Sequence, residues 1–350
     1  MLRNGGYILR GFSMKFALVS THSPHGVRFH LDGEREDATS FLSWVSVLSG
    51  FHFNFMKLMV EDYSFLKDFD AVMFSGHPSH IVDIITLAKY LKGSNVVTMF
   101  YPEGSAQLYD NSIRGFHREY YDAWNACDIL SIAEEDKRGY YENFVTDETI
   151  VRFIHVPSTP AMSLGRFFVP FRDKVMARVL VYGDNNPNHP MVAMAAARRL
   201  DASVFAVECG DPSAIQAVLP GLKIGQSCGK LSQNEMLRQL GRTGVHFYPT
   251  EWYGTARQVI SCASVGTPCI GPKQSHTQMR LFPEISVDSL WDVGAMASVA
   301  RALIEDAEFY DDTCKRAFEA SQFYNLENTS SRFFFAVNDA KKNRLARVVH

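Results

Sequence analysis

The stretch "HFYPTEWYGTARQVISCASVGTPCIGP", His246 to Pro272, holds one full turn of the chain's architecture. It opens as an apolar strand, passes a polar knot at Thr250–Gly254 and continues into a helix. Ala256, Val259, Ile260 and Ala263 stand at i, i+3, i+4 and i+7, the spacing that buries one helical face. Arg257, Gln258 and Ser261 fall off that stripe. Gly266-Thr267-Pro268 stops the helix, and Cys269-Ile270-Gly271 begins the next apolar piece. A loop that enters a helix presents unpaired backbone N–H groups and the positive end of the helix dipole, which attract phosphate. Here Gly254 allows close backbone approach, Thr255 offers a capping hydroxyl, and Arg257 offers a cation suited to phosphate. An ordinary strand–helix turn with a surface arginine fits the same residues, and spacing alone leaves both readings open.

The same alternation runs through the chain. "KFALVS" (15–20), "FHFNFMKLMV" (51–60), "FDAVMFSGH" (69–77), "NVVTMFYPEG" (95–104), "DILSIA" (128–133) and "TIVRFIHVPST" (149–159) read as strands. Helical spacing separates them at 37–50, 80–93, 117–127 and 134–144. A Pro-punctuated stretch at 157–177 breaks the rhythm, which then restarts. Strands are expected at 178–183, at "ASVFAVEC" and at "VHFYPT", with helices at "HPMVAMAAARRL", 232–244, 290–306 and the C-terminal end. Strands alternating with helices at this pitch imply parallel βαβ units, and so an α/β chain of two doubly wound parallel sheets. We expect domains at 14–160 and 178–327, a linker at 161–177, and a last helix, 328–350, crossing back to the first domain. Residues 1–13 read as an extension before the structural start at Met14. Ligands of such sheets bind beyond the carboxyl ends of the strands, which singles out Ser20–Val27, Gly76-His77 and Tyr101–Ser105.

Bulk properties narrow the function. The chain has 350 residues, 46% hydrophobic and 21% charged, with a net charge of −3. That is a globular balance without the chain-wide basic field of a nucleic-acid binder. Six scattered cysteines show no zinc-ligand spacing and read as reduced buried thiols of a cytoplasmic protein. No apolar run is long enough to span a bilayer, though the apolar "SFLSWVSVLSGFHFNF" leaves membrane-peripheral attachment open. Lys341, Lys342, Arg344 and Arg347 crowd the C-terminal end. They suit a helix C-terminus, whose dipole they complement; the sharper alternative is an anionic partner such as nucleic acid or acidic lipid.

The quoted stretch resembles the GT-B glycosyltransferases, in particular the retaining group with an E-x7-E motif, whose pattern "hhhPSxxEgfgxxxxEAxAxGxPVI" meets "HFYPTEWYGTARQVISCASVGTPCI" here. The likeness is moderately specific over 231–272 and diffuse over most of 15–325. It implies two Rossmann-like domains facing across a cleft, a nucleotide-sugar donor as co-substrate with no separate cofactor, and no catalytic metal. Both motif glutamates are replaced: Tyr253 and Ser261 stand at their positions, and Glu251 lies two residues from the first. By resemblance the donor falls to Gly183, Lys230, Glu251, Gly254, Thr255, Ala256, Arg257 and Ser261, with Ser261 at the ribose. The usual basic pair after Gly183 is absent; Asp184, Asn185, Asn186 and His189 stand nearby. The acceptor-side loop falls to His22, His25 and Gly26, and the catalytic contacts to His77 and Glu103. The expectation is transfer of a sugar to a carbohydrate, a lipid-linked molecule or a DNA base, with retention of configuration. An inactive partner subunit, a sugar-nucleotide epimerase of the same fold and a phage-type DNA-base glycosyltransferase are the alternatives.

Overall fold

A computed structural model of the chain describes residues 14–20, 27–28, 50–60, 62–76, 80–102, 117–154, 167–183, 189–250 and 256–348. His22, His25, Gly26, His77, Glu103, Glu251, Gly254, Thr255, residues 1–13 and the expected helix before Gly50 lie outside them. The chain divides into two compact units, one of residues Met1–Pro157 with Leu326–His350, the other of Ser158–Asn325.

The first unit holds strands β1 (Phe16–Ser20), β2 (Val27–Arg28), β3 (Phe51–Asn54), β4 (Ala71–Gly76), β5 (Val97–Pro102), β6 (Ile129–Ile132) and β7 (Ile150–Phe153). They form one sheet in the order β2-β3-β1-β4-β5-β6-β7. It is parallel except at its edge, where β2 runs antiparallel to β3, so the wholly parallel sheet expected here is corrected at one end. Helices α1 (Phe55–Leu58), α2 (Ile81–Leu91), α3 (His117–Ala126) and α4 (Arg138–Glu142) connect the strands. The strand expected across 51–60 stops at Asn54, whose side-chain oxygen accepts from the Met56 N–H and starts the single turn α1.

Alternation along β1 sorts the core. Ala17 and Val19 pack with Ile84, Leu87 and Trp124 on one face of the sheet. Phe16 and Leu18 point to the other, where they meet Phe333, Ala336, Val337 and Ala340. Those four come from α12 (Leu326–Val348), and their i, i+3, i+4, i+7 spacing is why the C-terminal helix belongs to this unit.

The second unit holds β8 (Val175–Tyr182), β9 (Ser203–Val207), β10 (Lys223–Cys228), β11 (Thr243–Phe247) and β12 (Cys269–Ile270), all parallel, in the order β10-β9-β8-β11-β12. Its helices are α5 (Pro190–Arg199), α6 (Pro212–Val218), α7 (Gln233–Gly241), α8 (Arg257–Val265), α9 (His276–Leu281), α10 (Val293–Glu305) and α11 (Ala307–Ser321). The segment expected as a linker, 161–177, is part of this unit from Phe167 onward. Val169 N–H donates to the Val265 carbonyl, Phe171 packs edge-on against Tyr310, and β8 already begins at Val175. Lys174 is buried, and its ammonium donates to the Gly241 carbonyl at 2.6 Å and to Thr267 Oγ1 at 3.0 Å. Burial lowers its pKa to about 8.

Candidate functional site

Helix α8 follows central strand β11 and is the structural form of the quoted stretch. Its N-cap is Ala256, with no side-chain capping bond, and its first residue, Arg257, is exposed. The first-turn N–H groups of a helix have no intrahelical acceptor, so this end carries partial positive charge. Ala256 is buried, and its own N–H points at Thr277 Oγ1, 3.4 Å away, rather than outward. From Val259 to Val265 every residue is buried, which the single apolar stripe did not foretell. Ser261 is therefore interior. Its hydroxyl donates to the Arg257 carbonyl at 2.9 Å, one turn back, so the sequence-based assignment of Ser261 to a ribose is not matched by an outward-facing hydroxyl.

The far end of α8 closes as the sequence suggests. Gly266 takes φ 69°, in the left-handed region, and Thr267 N–H returns to the Cys262 carbonyl at 2.9 Å. A Cβ on Gly266 would sit 2.5 Å from the Phe168 ring. Thr267 Oγ1 donates to the Leu240 carbonyl, which ties α8 to the end of α7.

Beside α8, strand β8 ends at Tyr182 and Gly183. The Gly183 N–H donates to the Val207 carbonyl, and a Cβ there would lie 2.6 Å from the Glu208 carbonyl oxygen and 2.7 Å from Cys209 Cα. Gly183 thus lets the chain after β9 pass close by; the close approach is to backbone of the same unit. α5 then begins at Pro190 with His189 as its N-cap, which makes no side-chain capping bond, and the His189 N–H donates to the Pro249 carbonyl at 2.9 Å. Two helix N-termini so lie at the carboxyl ends of neighbouring strands β8 and β11. His189 also packs against exposed Trp291, ring centroids 4.5 Å apart. The small space lined by Tyr182, Pro190, His246, Tyr248 and Gln258 lies at these same strand ends.

One pair escaped the sequence reading. Tyr182 donates its hydroxyl to Glu208 Oε2 at 2.6 Å, and Glu208 sits at φ 53°. A left-handed glutamate is uncommon and costs about 1–2 kcal/mol, so the surrounding structure must hold it there. It marks the carboxyl end of β9, where ligands of doubly wound sheets bind; no local sequence pattern announces a strained backbone. Lys230 is exposed beyond edge strand β10, with β9 between it and β8. Lys273 is paired with Asp288 at 2.9 Å.

The basic C-terminal residues are largely committed inside the first unit. Arg344 forms a bidentate pair with Asp128 and donates to the Ser94 and Val96 carbonyls, both at 2.8 Å. Lys341 lies 3.6 Å from Asp70, and Arg347 donates to the Asp147 carbonyl. Three of the four cations of this tail thus have partners within the first unit, and Lys342 is exposed.

No protein-family model matches the chain, and no curated protein matches it. Solved structures do. An alpha-glucosyltransferase in complex with UDP-glucose and DNA containing an abasic site superposes with TM-score 0.60 at 11% identity, over 93% of this chain and 99% of that one. A sucrose-phosphate synthase from Thermosynechococcus elongatus gives 0.62 at 12%, over 97% and 100%. An alpha,alpha-trehalose 6-phosphate synthase from Burkholderia multivorans gives 0.62 at 9%, over 97% and 100%. Identities this low speak to architecture alone, and the architecture of this chain is the GT-B fold.

Proposed function

We propose that the chain is a glycosyltransferase that moves a sugar from a nucleoside-diphosphate sugar to an acceptor, with retention of configuration. The observation that carries this reading is the pair of helix N-termini without side-chain caps, α5 and α8, at the carboxyl ends of β8 and β11, with exposed Arg257 opening α8. Such an arrangement suits a diphosphate, whose leaving charge must be neutralised as the glycosidic bond breaks. The GT-B likeness over nearly the whole chain supports it.

In this reading Arg257, with Gly254, Thr255 and Glu251 before it, receives the diphosphate. The ribose role first given to Ser261 passes to the Tyr182–Glu208 pair, because the Ser261 hydroxyl already serves its own helix. Lys230 and Gly183 flank the donor. His77, Glu103, His22, His25 and Gly26 serve the acceptor side. Helix ends and arginine take the leaving charge, so the reaction asks for no metal and no further cofactor. The acceptor is a carbohydrate, a lipid-linked molecule or a DNA base; one structural neighbour is an alpha-glucosyltransferase in complex with UDP-glucose and DNA. A cytoplasmic location belongs to the same proposal and suits six unpaired cysteines. Among the described residues no helix is long and apolar enough to cross a membrane.

The test is a thermal-shift screen of nucleotide sugars, followed by transfer of labelled sugar to glycan, lipid-linked and duplex-DNA acceptors. A shift with one donor and transfer to one acceptor class is expected. Donor turnover without any acceptor would instead assign an epimerase, and binding without turnover an inactive partner subunit. No shift with any donor refutes the reading.

A further inference from the structure

The fold gathers three residues that lie far apart in any ligand-spacing motif. Strands β11 and β12 pair in parallel with His246 opposite Cys269, so both side chains leave the sheet on one face. Helix α8 contributes Cys262. The ring nitrogen of His246 and the two sulfurs all lie within 4.8 Å of one another, and all three residues are at least 98% buried. The His246 ring is already oriented. Its Nδ1 lies 3.0 Å from the Leu180 carbonyl. A carbonyl only accepts, so Nδ1 carries the proton and Nε2 is left with its lone pair. Nε2 is buried without a well-formed hydrogen bond, and among the described residues the polar side chain against the ring is that of Gln258. This is the arrangement that fixes metal-ligating histidines: one nitrogen donates to a main-chain carbonyl and the other faces the ion.

We propose that His246, Cys262 and Cys269 form a buried structural site for a divalent metal ion of zinc-like softness. The donor set is one imidazole and two thiolates, which selects zinc-class ions over magnesium or calcium. Zinc bonds of about 2.3 Å to sulfur and 2.0–2.1 Å to nitrogen put tetrahedral donors roughly 3.5–3.8 Å apart. From separations of up to 4.8 Å the three groups therefore need to close by at most about 1.3 Å. Binding is balanced in charge: the ion enters as M²⁺, two thiol protons leave, and neutral His246 stays neutral. An electrically neutral cluster replaces an electrically neutral one, which a core site of this depth requires. Gln258, one turn before Cys262 on α8, lines the space beside His246, and its amide is the polar side chain nearest the ring from that helix.

The bound ion ties β11, the second half of α8 and β12 together. It touches no substrate, and the site exists whatever the chain transfers. Its test is independent of nucleotide sugars. The full-length chain is expressed in medium with zinc, and separately with cobalt, then examined by elemental analysis and visible absorption. One metal ion per chain is expected, with cobalt–thiolate charge-transfer and tetrahedral d–d bands. Cys269→Ser loses both metal and bands. Cys314→Ser, which removes a buried thiol outside the cluster, keeps them. Stripping the ion with a strong chelator lowers the melting temperature, and zinc restores it. Folded wild-type chain without stoichiometric metal and without cobalt bands overturns the proposal. So does a Cys262–Cys269 disulfide in peptide mass mapping, or metal retained by Cys269→Ser. If Cys269→Ser fails to fold, the metal content and cobalt spectrum of the wild-type chain decide alone.

Discussion

Arg344→Ala separates a structural cation from a ligand-binding one. The guanidinium makes two bonds to the Asp128 carboxylate and two to main-chain carbonyls, and its side chain is 27% exposed against 15% for Asp128. Removing one partner of a fully buried pair costs about 3–5 kcal/mol, mostly because the other charge is left unpaired. Partial exposure reduces this, and Thr98 still donates to Asp128 through both N–H and hydroxyl. We therefore expect a loss of about 2–3 kcal/mol. In a unit of about 180 residues each kcal/mol moves the midpoint by roughly 2–4 °C, so the first unit should melt roughly 5–10 °C lower. The assay is calorimetry of wild type, Arg344→Ala, Asp128→Asn and the double variant. The double variant should be less destabilised than the sum of the singles, with a coupling of about 1–2 kcal/mol. Duplex-DNA retention at low salt, measured on the same proteins, should not change. An unchanged midpoint together with lost DNA binding would refute the assignment and restore the tail as an anion-binding surface.

Other expectations follow from the donor site and the core. Arg257→Ala should raise the donor KM about 10–100-fold, the range for one charge-assisted bond to phosphate, with little change in melting; an unaltered KM would remove Arg257 from the site. In Glu208→Gly, relief of about 1–2 kcal/mol of left-handed strain offsets the lost Tyr182 bond and the added chain entropy, together about 1–2.5 kcal/mol. Its melting temperature should stay within a few degrees while donor affinity falls, and a large drop in stability with intact donor binding would show Glu208 to be structural. Gly266→Ala forces a Cβ into φ 69° against Phe168 and should cost about 1–3 kcal/mol, read by urea unfolding; a neutral result would mean the helix end is not held as described. Lys174 has its folded pKa lowered to about 8 from 10.5, so between those values the unfolded state binds more protons and stability rises with pH. Wild type should gain on the order of 3 kcal/mol relative to Lys174→Met between about pH 8 and 10.5, and parallel pH profiles would contradict the burial argument.

The alternation of apolar strands with helical stripes was enough to read two parallel α/β sheets, because strand and helix periodicities are local properties of a buried chain. Gly266-Thr267-Pro268 was legible for the same reason: only a glycine-tolerant left-handed turn ends a helix that way. Elements with weak local signals were lost. β10 is an edge strand whose "KIGQSC" is mostly exposed, so it carries no apolar run, and α6 is two turns long. The linker reading failed because prolines and aromatics look alike whether they span a gap or, like Phe171, pack against a distant helix.

The chain's local chemistry settled the alternation of strands and helices and the closing turn at Gly266, though not every element boundary. Tertiary structure settled which side chains are available at the ligand-binding edge. It turned Ser261 inward, set Tyr182 on a strained Glu208, committed Arg344 to Asp128, and brought His246, Cys262 and Cys269 together from a strand, a helix and the next strand. None of these pairings has a sequence period. Each depends on packing between elements distant along the chain, where burial decides whether a polar group meets water, a partner or an ion.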